Sequence, residues 1–91
     1  MEFEWDADKA ESNAKKHGIR FEVATAVFDD PDRITVIDDR FDYDEERLVT
    51  LGKTPDGVLV VVTTERDDPP RIRIISARKA NKRERRHYGN S

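Results

Sequence analysis

Arginine is the residue type in this 91-residue chain best placed to do chemistry. Arg66 follows Thr63-Thr64-Glu65 after the apolar run Val58–Val62, and Arg78 follows the run Ile72–Ser76. Arg40 sits in an acidic stretch, and Arg47 opens the run Leu48–Leu51. A guanidinium fits phosphate oxygens two at a time, so several on one sheet face can stabilise a pentavalent phosphate. Cleaving RNA that way needs no metal in principle, because the neighbouring 2′-hydroxyl is the nucleophile. The protein must then remove one proton, supply another and balance the developing charge. His17, Glu65, Lys53 and Tyr88 are the groups available for those proton transfers. Each has a structural alternative: His17 can close a helix end, Glu65 can pair with Arg66, and Tyr88 can simply pack.

Other chemistries lack their residues. Cysteine is absent, which removes disulfides and thiolate zinc sites. The two histidines, His17 and His87, have no zinc-enzyme spacing. The acidic stretch Asp38–Glu46 lacks the central glycine and the closing glutamate of a calcium loop, so it reads as a solvated connection. Glycine-rich phosphate loops and a GxSxG elbow are missing. The expectation is a site with no metal and no cofactor.

The elements that must position these residues are few. Hydrophobic residues make up 35% of the chain and charged ones 41%, against about 25% charged in a typical domain. Residues 1–91 therefore read as one domain in which nearly every large apolar side chain is needed for the core. With no membrane-spanning run and no signal-peptide pattern, a cytoplasmic protein is expected. The net charge of −3 is unevenly spread. Residues 1–68 carry 19 acids and 9 bases, a net −10, whereas residues 69–91 carry one acid and 8 bases, a net +7. A basic segment on an acidic body suits a polyanion or an acidic partner.

Glu2-Phe3-Glu4-Trp5 alternates as a short strand, and Asp6 and Gly18 have the chemistry of a helix start and stop. Phe21, Ala24, Val27 and Phe28 mark the apolar face of a second helix, which Pro31 ends. Ile34–Ile37, Leu48–Leu51, Val58–Val62 and Arg71–Ser76 read as strands, with a hairpin turn at Thr54-Pro55-Asp56-Gly57. Val58–Val62, apolar on both faces, predicts a central strand. Ser76 is placed to cap a basic helix from Ala77 to about Tyr88. The expected fold is α+β: two N-terminal helices packed on a four-stranded, mainly antiparallel sheet, with a basic C-terminal helix.

In combination these residues resemble the BrnT family of toxins. The resemblance runs through Phe3-Glu4-Trp5-Asp6, Asn13, Lys16-His17-Gly18-Ile19, Phe21-Glu22 and Val27-Phe28-Asp29-Asp30-Pro31. It continues through Asp38-Asp39-Arg40, Glu45-Glu46-Arg47, Gly52, Val60–Val62, Arg73–Ala80, Glu84-Arg85 and Tyr88. Asp44 and Thr63 depart from it, standing where the family often has a glycine and an aromatic residue.

The resemblance implies a RelE-like ribonuclease that inhibits translation by cutting RNA without a metal. It implies Arg66, Arg78 and Tyr88 as catalytic candidates by position, with His17 and Lys53 beside them. Arg40, Arg47, Lys79, Lys82, Arg83, Arg85 and Arg86 are then the expected RNA-binding residues. The implied partner is a BrnA-type ribbon-helix-helix antitoxin in a 2:2 hetero-oligomer, with promoter DNA reached only through the antitoxin and no membrane involved. The alternative is a binding module that only engages the antitoxin and helps repress a shared promoter.

Overall fold

Helix signals dominate up to Pro31 and strand signals after it, and the chain folds in that order. A computed structural model describes residues 1–38 and 45–89. β1 (Phe3–Glu4) leads into α1 (Ala7–His17), α2 (Phe21–Ala24) and a 3-10 turn (Thr25–Asp29). Then come β2 (Ile34–Asp38), β3 (Arg47–Thr54), β4 (Gly57–Asp67), β5 (Pro70–Lys79) and α3 (Lys82–Gly89).

The sheet has five strands rather than the expected four, in the order β1-β5-β4-β3-β2. β2 to β5 pair antiparallel, and β1 adds parallel to β5, with Phe3 opposite Ile72 and Glu4 opposite Arg73. Two residues suffice for β1 because both of its side chains are anchored. Glu4 is hydrogen-bonded by Arg71 and, at 2.8 Å, by Arg73, while Phe3 packs on Phe28 with ring centroids 5.5 Å apart. β4 is central, as its apolar run predicts.

Two helices also differ from expectation. The second is one α-turn that tightens into the 3-10 turn before Pro31. The last begins at Lys82, not Ala77, because residues 76–79 find ladder partners on the eleven-residue β4, with Ser76 opposite Val62 and Arg78 opposite Val60. Ladder pairing with β4 on one side, and the Asn13 side chain bonding Ala77 on the other, satisfy that stretch better than a helix capped by Ser76. Asn81 caps α3 instead: its side chain accepts from Glu84 N–H at 2.8 Å, and Glu84 accepts from Asn81 N–H at 2.9 Å.

One face of the sheet carries the main core. Leu59, Val61, Ile74 and Ala77 point at Ile19, Phe21, Ala24 and Val27, and all eight are buried. Asp6 starts α1 by accepting from Asp8 and Lys9 N–H, and Gly18 ends it in the left-handed region at φ 71°, which costs glycine little. Gly52 is needed for a different reason. A Cβ there would stand 2.7 Å from Val27 Cβ and 2.9 Å from its Cα, so the 3-10 turn lies directly on β3.

Asn13 is the buried residue of α1. Its amide nitrogen donates to the carbonyls of Ala77 and Ile19 at 2.8 and 3.0 Å, and its oxygen accepts from Ala77 N–H at 3.1 Å. The side chain thus replaces a neighbouring strand where β1 no longer covers the edge of β5.

Candidate functional site

The other face of the sheet is open over much of its area. Strand register sets its side chains in rows: Val36, Val49, Val62 and Ser76 in one, Ile34, Leu51, Val60 and Arg78 in the next. α3 closes one end of this face, where Tyr88 packs near buried Leu51, Val60 and Ala80. The result is a groove of about 410 Å³ lined by Val36, Val49, Val60 and Val62, with Asp38, Ser76, Arg78 and Glu84 as its polar groups.

Arg78 and Glu84 form the best-defined pair in the groove. Two guanidinium nitrogens donate to the two carboxylate oxygens at 2.8 Å each. That pairing, helped by Asn81 N–H, holds the Glu84 carboxyl below its ordinary range despite partial burial. A paired guanidinium and carboxylate can hold a phosphate and accept a proton within one small volume. Arg47 stands opposite Asp38 on the same face.

Arg66 is elsewhere. It lies within β4 rather than after it, opposite Arg71, while Arg78 is opposite Val60. Six residues of strand separate those positions, about 20 Å at the usual rise. Arg66 and Arg78 therefore cannot grip one phosphate. Arg66 reaches Glu45 at 3.5 Å, and its Nε is buried with no hydrogen-bond partner among the described residues.

The other candidates disperse as well. Tyr88 donates its hydroxyl to Asp30, whose same oxygen accepts from Lys53 N–H at 2.7 Å. Asp30 pushes the Tyr88 hydroxyl up to about 12, and the tyrosine in turn lowers Asp30. Tyr88 is a tether between α3 and the sheet end, uncharged at neutral pH, and the Lys53 side chain is exposed beside it. His17 lines a separate channel between α1 and β5. Glu65 is exposed on β4.

Among the expected RNA-binding residues, Lys82, Arg83 and Arg86 are exposed on α3. Arg85 bonds the Ala80 carbonyl at 2.8 Å, and Lys79 ends β5 on the face opposite Arg78. Arg40 lies outside the described residues. Glu84, Asp38 and Ser76 were not among the expected site residues. The spacing Asn81-x-x-Glu84 is a legible helix-start signal and would have brought Glu84 forward.

The family model of the ribonuclease toxin BrnT of type II toxin-antitoxin systems matches residues 5–84. The chain belongs to this BrnT family. The matched span takes in α1, every strand from β2 to β5 and the first turn of α3, and so includes Arg78 and Glu84. Membership makes the chain a ribonuclease toxin of a type II system, and such a toxin has an antitoxin partner. No curated protein matches the chain. Among the described residues no helix is long and apolar enough to cross a membrane.

Proposed function

We propose that this BrnT-family toxin cuts single-stranded RNA in the groove on the open face of its sheet, without a metal. The observation that carries this reading is the two-bond Arg78–Glu84 pair at the edge of that groove. A phosphate entering the groove takes over the guanidinium, and the freed carboxylate accepts the proton of the 2′-hydroxyl. The 2′-oxygen bonds to phosphorus, the bond from phosphorus to the 5′-oxygen breaks, and water in the open groove returns a proton to the leaving oxygen. Arg78 balances the charge that gathers on the phosphate oxygens. The valines beneath suit the flat faces of bases better than they suit phosphate.

The metal-free character rests on the nucleophile already present in RNA. RNA cutting of this kind in the cytoplasm stops translation, in the manner of RelE-like toxins. A BrnA-type ribbon-helix-helix antitoxin in a 2:2 assembly restores growth by covering the basic α3 and the open face, and it brings promoter DNA to the complex.

Induction of the chain alone in bacteria, and again with its antitoxin, tests the toxin reading: growth stops and then recovers. Purified toxin then cuts RNA with EDTA present. Activity lost to EDTA and restored by magnesium would refute the metal-free reading. Growth unaffected by abundant folded toxin would refute the enzyme and favour a pure antitoxin-binding module.

A further inference from the structure

β1 ends at Glu4 opposite Arg73, so from Ile75 onward the edge of β5 has no neighbouring strand. α1 runs beside that edge, and a shallow channel of about 220 Å³, open to solvent along its length, lies between them. Its lining is Lys9, Ser12, Asn13, Lys16 and His17 from α1, with Ile75 and Ser76 from β5. No carboxylate contributes to it, although acids outnumber bases in the chain. Of the nearby acids, Glu11 pairs with Lys15 at 3.1 Å, and the N-cap Asp6 is bound by the first-turn amides. Lys9 and Lys16 make no salt bridge among the described residues.

The channel lies across the sheet edge from the groove already described. Ser76 lines both, and the ladder slips beside it, where Val62 faces Ser76 but Thr63 faces Ile74. Ile75 is the extra residue of that bulge, which bends the strand at the junction. A strand of nucleic acid leaving the groove past Ser76 therefore meets a basic path over the sheet edge. Lys9 and Lys16 lie on one helix face two turns apart, about 10 Å along the axis. They can engage two separate phosphates. We propose that this α1–β5 channel carries the sugar-phosphate backbone of RNA extending from the cleavage groove, with Lys9 and Lys16 as its phosphate contacts. The inference rests on RNA binding in the groove, and it extends the substrate to a strand longer than the groove itself.

The test is binding of a 2′-O-methyl single-stranded RNA, which cannot be cut because its 2′-oxygen is blocked. Titrations across a salt series compare the natural chain, a Lys9→Ala/Lys16→Ala variant and a Lys15→Ala control. Losing two phosphate contacts lowers the slope of log affinity against log salt by about 1.4 for a single strand. Lys15→Ala, on the Glu11 side of the helix, retains the natural slope. Coincident slopes for the natural chain and the double variant would overturn the channel while leaving groove cleavage standing. A natural chain that binds with the expected lysine dependence but never cuts unmodified RNA would refute the cleavage reading alone. Unchanged RNA slopes with lost antitoxin affinity would give the channel to the protein partner and overturn the proposal.

Discussion

The Arg78 guanidinium and the Glu84 carboxylate meet face to face through two parallel hydrogen bonds of 2.8 Å, across the junction between β5 and α3. One partner sits on a strand fixed by its neighbours and the other on a capped helix, so the pair is preorganised. Arg78→Ala is expected to lower single-turnover RNA cleavage at saturating enzyme by about 2–4 kcal/mol of barrier. Glu84→Gln keeps an oxygen for Asn81 N–H but removes the proton acceptor, so the rate falls while RNA binding does not weaken. A natural rate in Arg78→Ala would show that the groove is not the reaction centre.

The α3 arginines should behave differently. Arg83 and Arg86 are exposed on a helix, where long side chains act mainly by charge. Arg83→Ala or Arg86→Ala should each raise the RNA concentration needed and lower the salt slope by about 0.7, with the saturated rate unchanged. Binding titrations at several salt concentrations check this, and a fallen saturated rate would place these residues at the reacting phosphate.

Tyr88 and Asp30 link stability to pH in opposite directions. Asp30 favours the protonated phenol, so the folded chain holds that proton more tightly than the unfolded chain does. The resulting stabilisation is complete below about pH 10, where free tyrosine titrates, and is lost as pH rises through about 12. For Asp30 the folded state favours the carboxylate; its stabilisation is present above about pH 3.9 and is lost as pH falls through the lowered value. Denaturation midpoints measured from pH 9 upward (roughly the free tyrosine range) should decline less in Tyr88→Phe than in the natural chain. Equal alkaline declines would sink the assignment.

Asn13→Ala should be among the more damaging single changes outside the groove. It strands the buried N–H and carbonyl of Ala77 and the carbonyl of Ile19, at about 1–3 kcal/mol for each group left unsatisfied. Asn13→Asp should not rescue it, because two of the three bonds need a donor. Urea unfolding of both variants decides the matter, and a near-natural midpoint for either would contradict the geometry.

Gly52→Ala tests the close approach of the 3-10 turn to β3. The added methyl meets Val27 backbone as well as side chain, so relief requires the turn itself to move. Overpacking of this kind costs about 1–3 kcal/mol. Unfolding midpoints should show that loss, and an unchanged midpoint would mean that the turn yields freely.

What could be read from the sequence was local chemistry. Asp6 and Gly18 bracket α1 because each acts on its own backbone, and the hairpin at Thr54–Gly57 follows for the same reason. The stretch 76–79 misled because its ladder partners lie 14 to 20 residues upstream on β4, whereas its helix-like signals are adjacent. The role of Asn13 has no local signal, because its partner Ala77 lies 64 residues later. Arginine types pointed to phosphate chemistry, but register decides which arginines share a site. It brings Arg78 to Glu84 and sends Arg66 to the far end of the same strands.

The parallel pairing of β1 with β5 also orders events in time. Phe3 cannot find Ile72 until nearly the whole sheet has been synthesised, and closing so long a loop slows folding. Asn13 waits for Ala77 in the same way, and α3 follows all five strands in the chain. While a ribosome is still making residues 1–70, the valines of the groove are present but neither Arg78 of β5 nor Glu84 of α3 has been made. The Arg78–Glu84 pair therefore cannot assemble until residues 78–84 have been added to a chain whose other groove residues are already made.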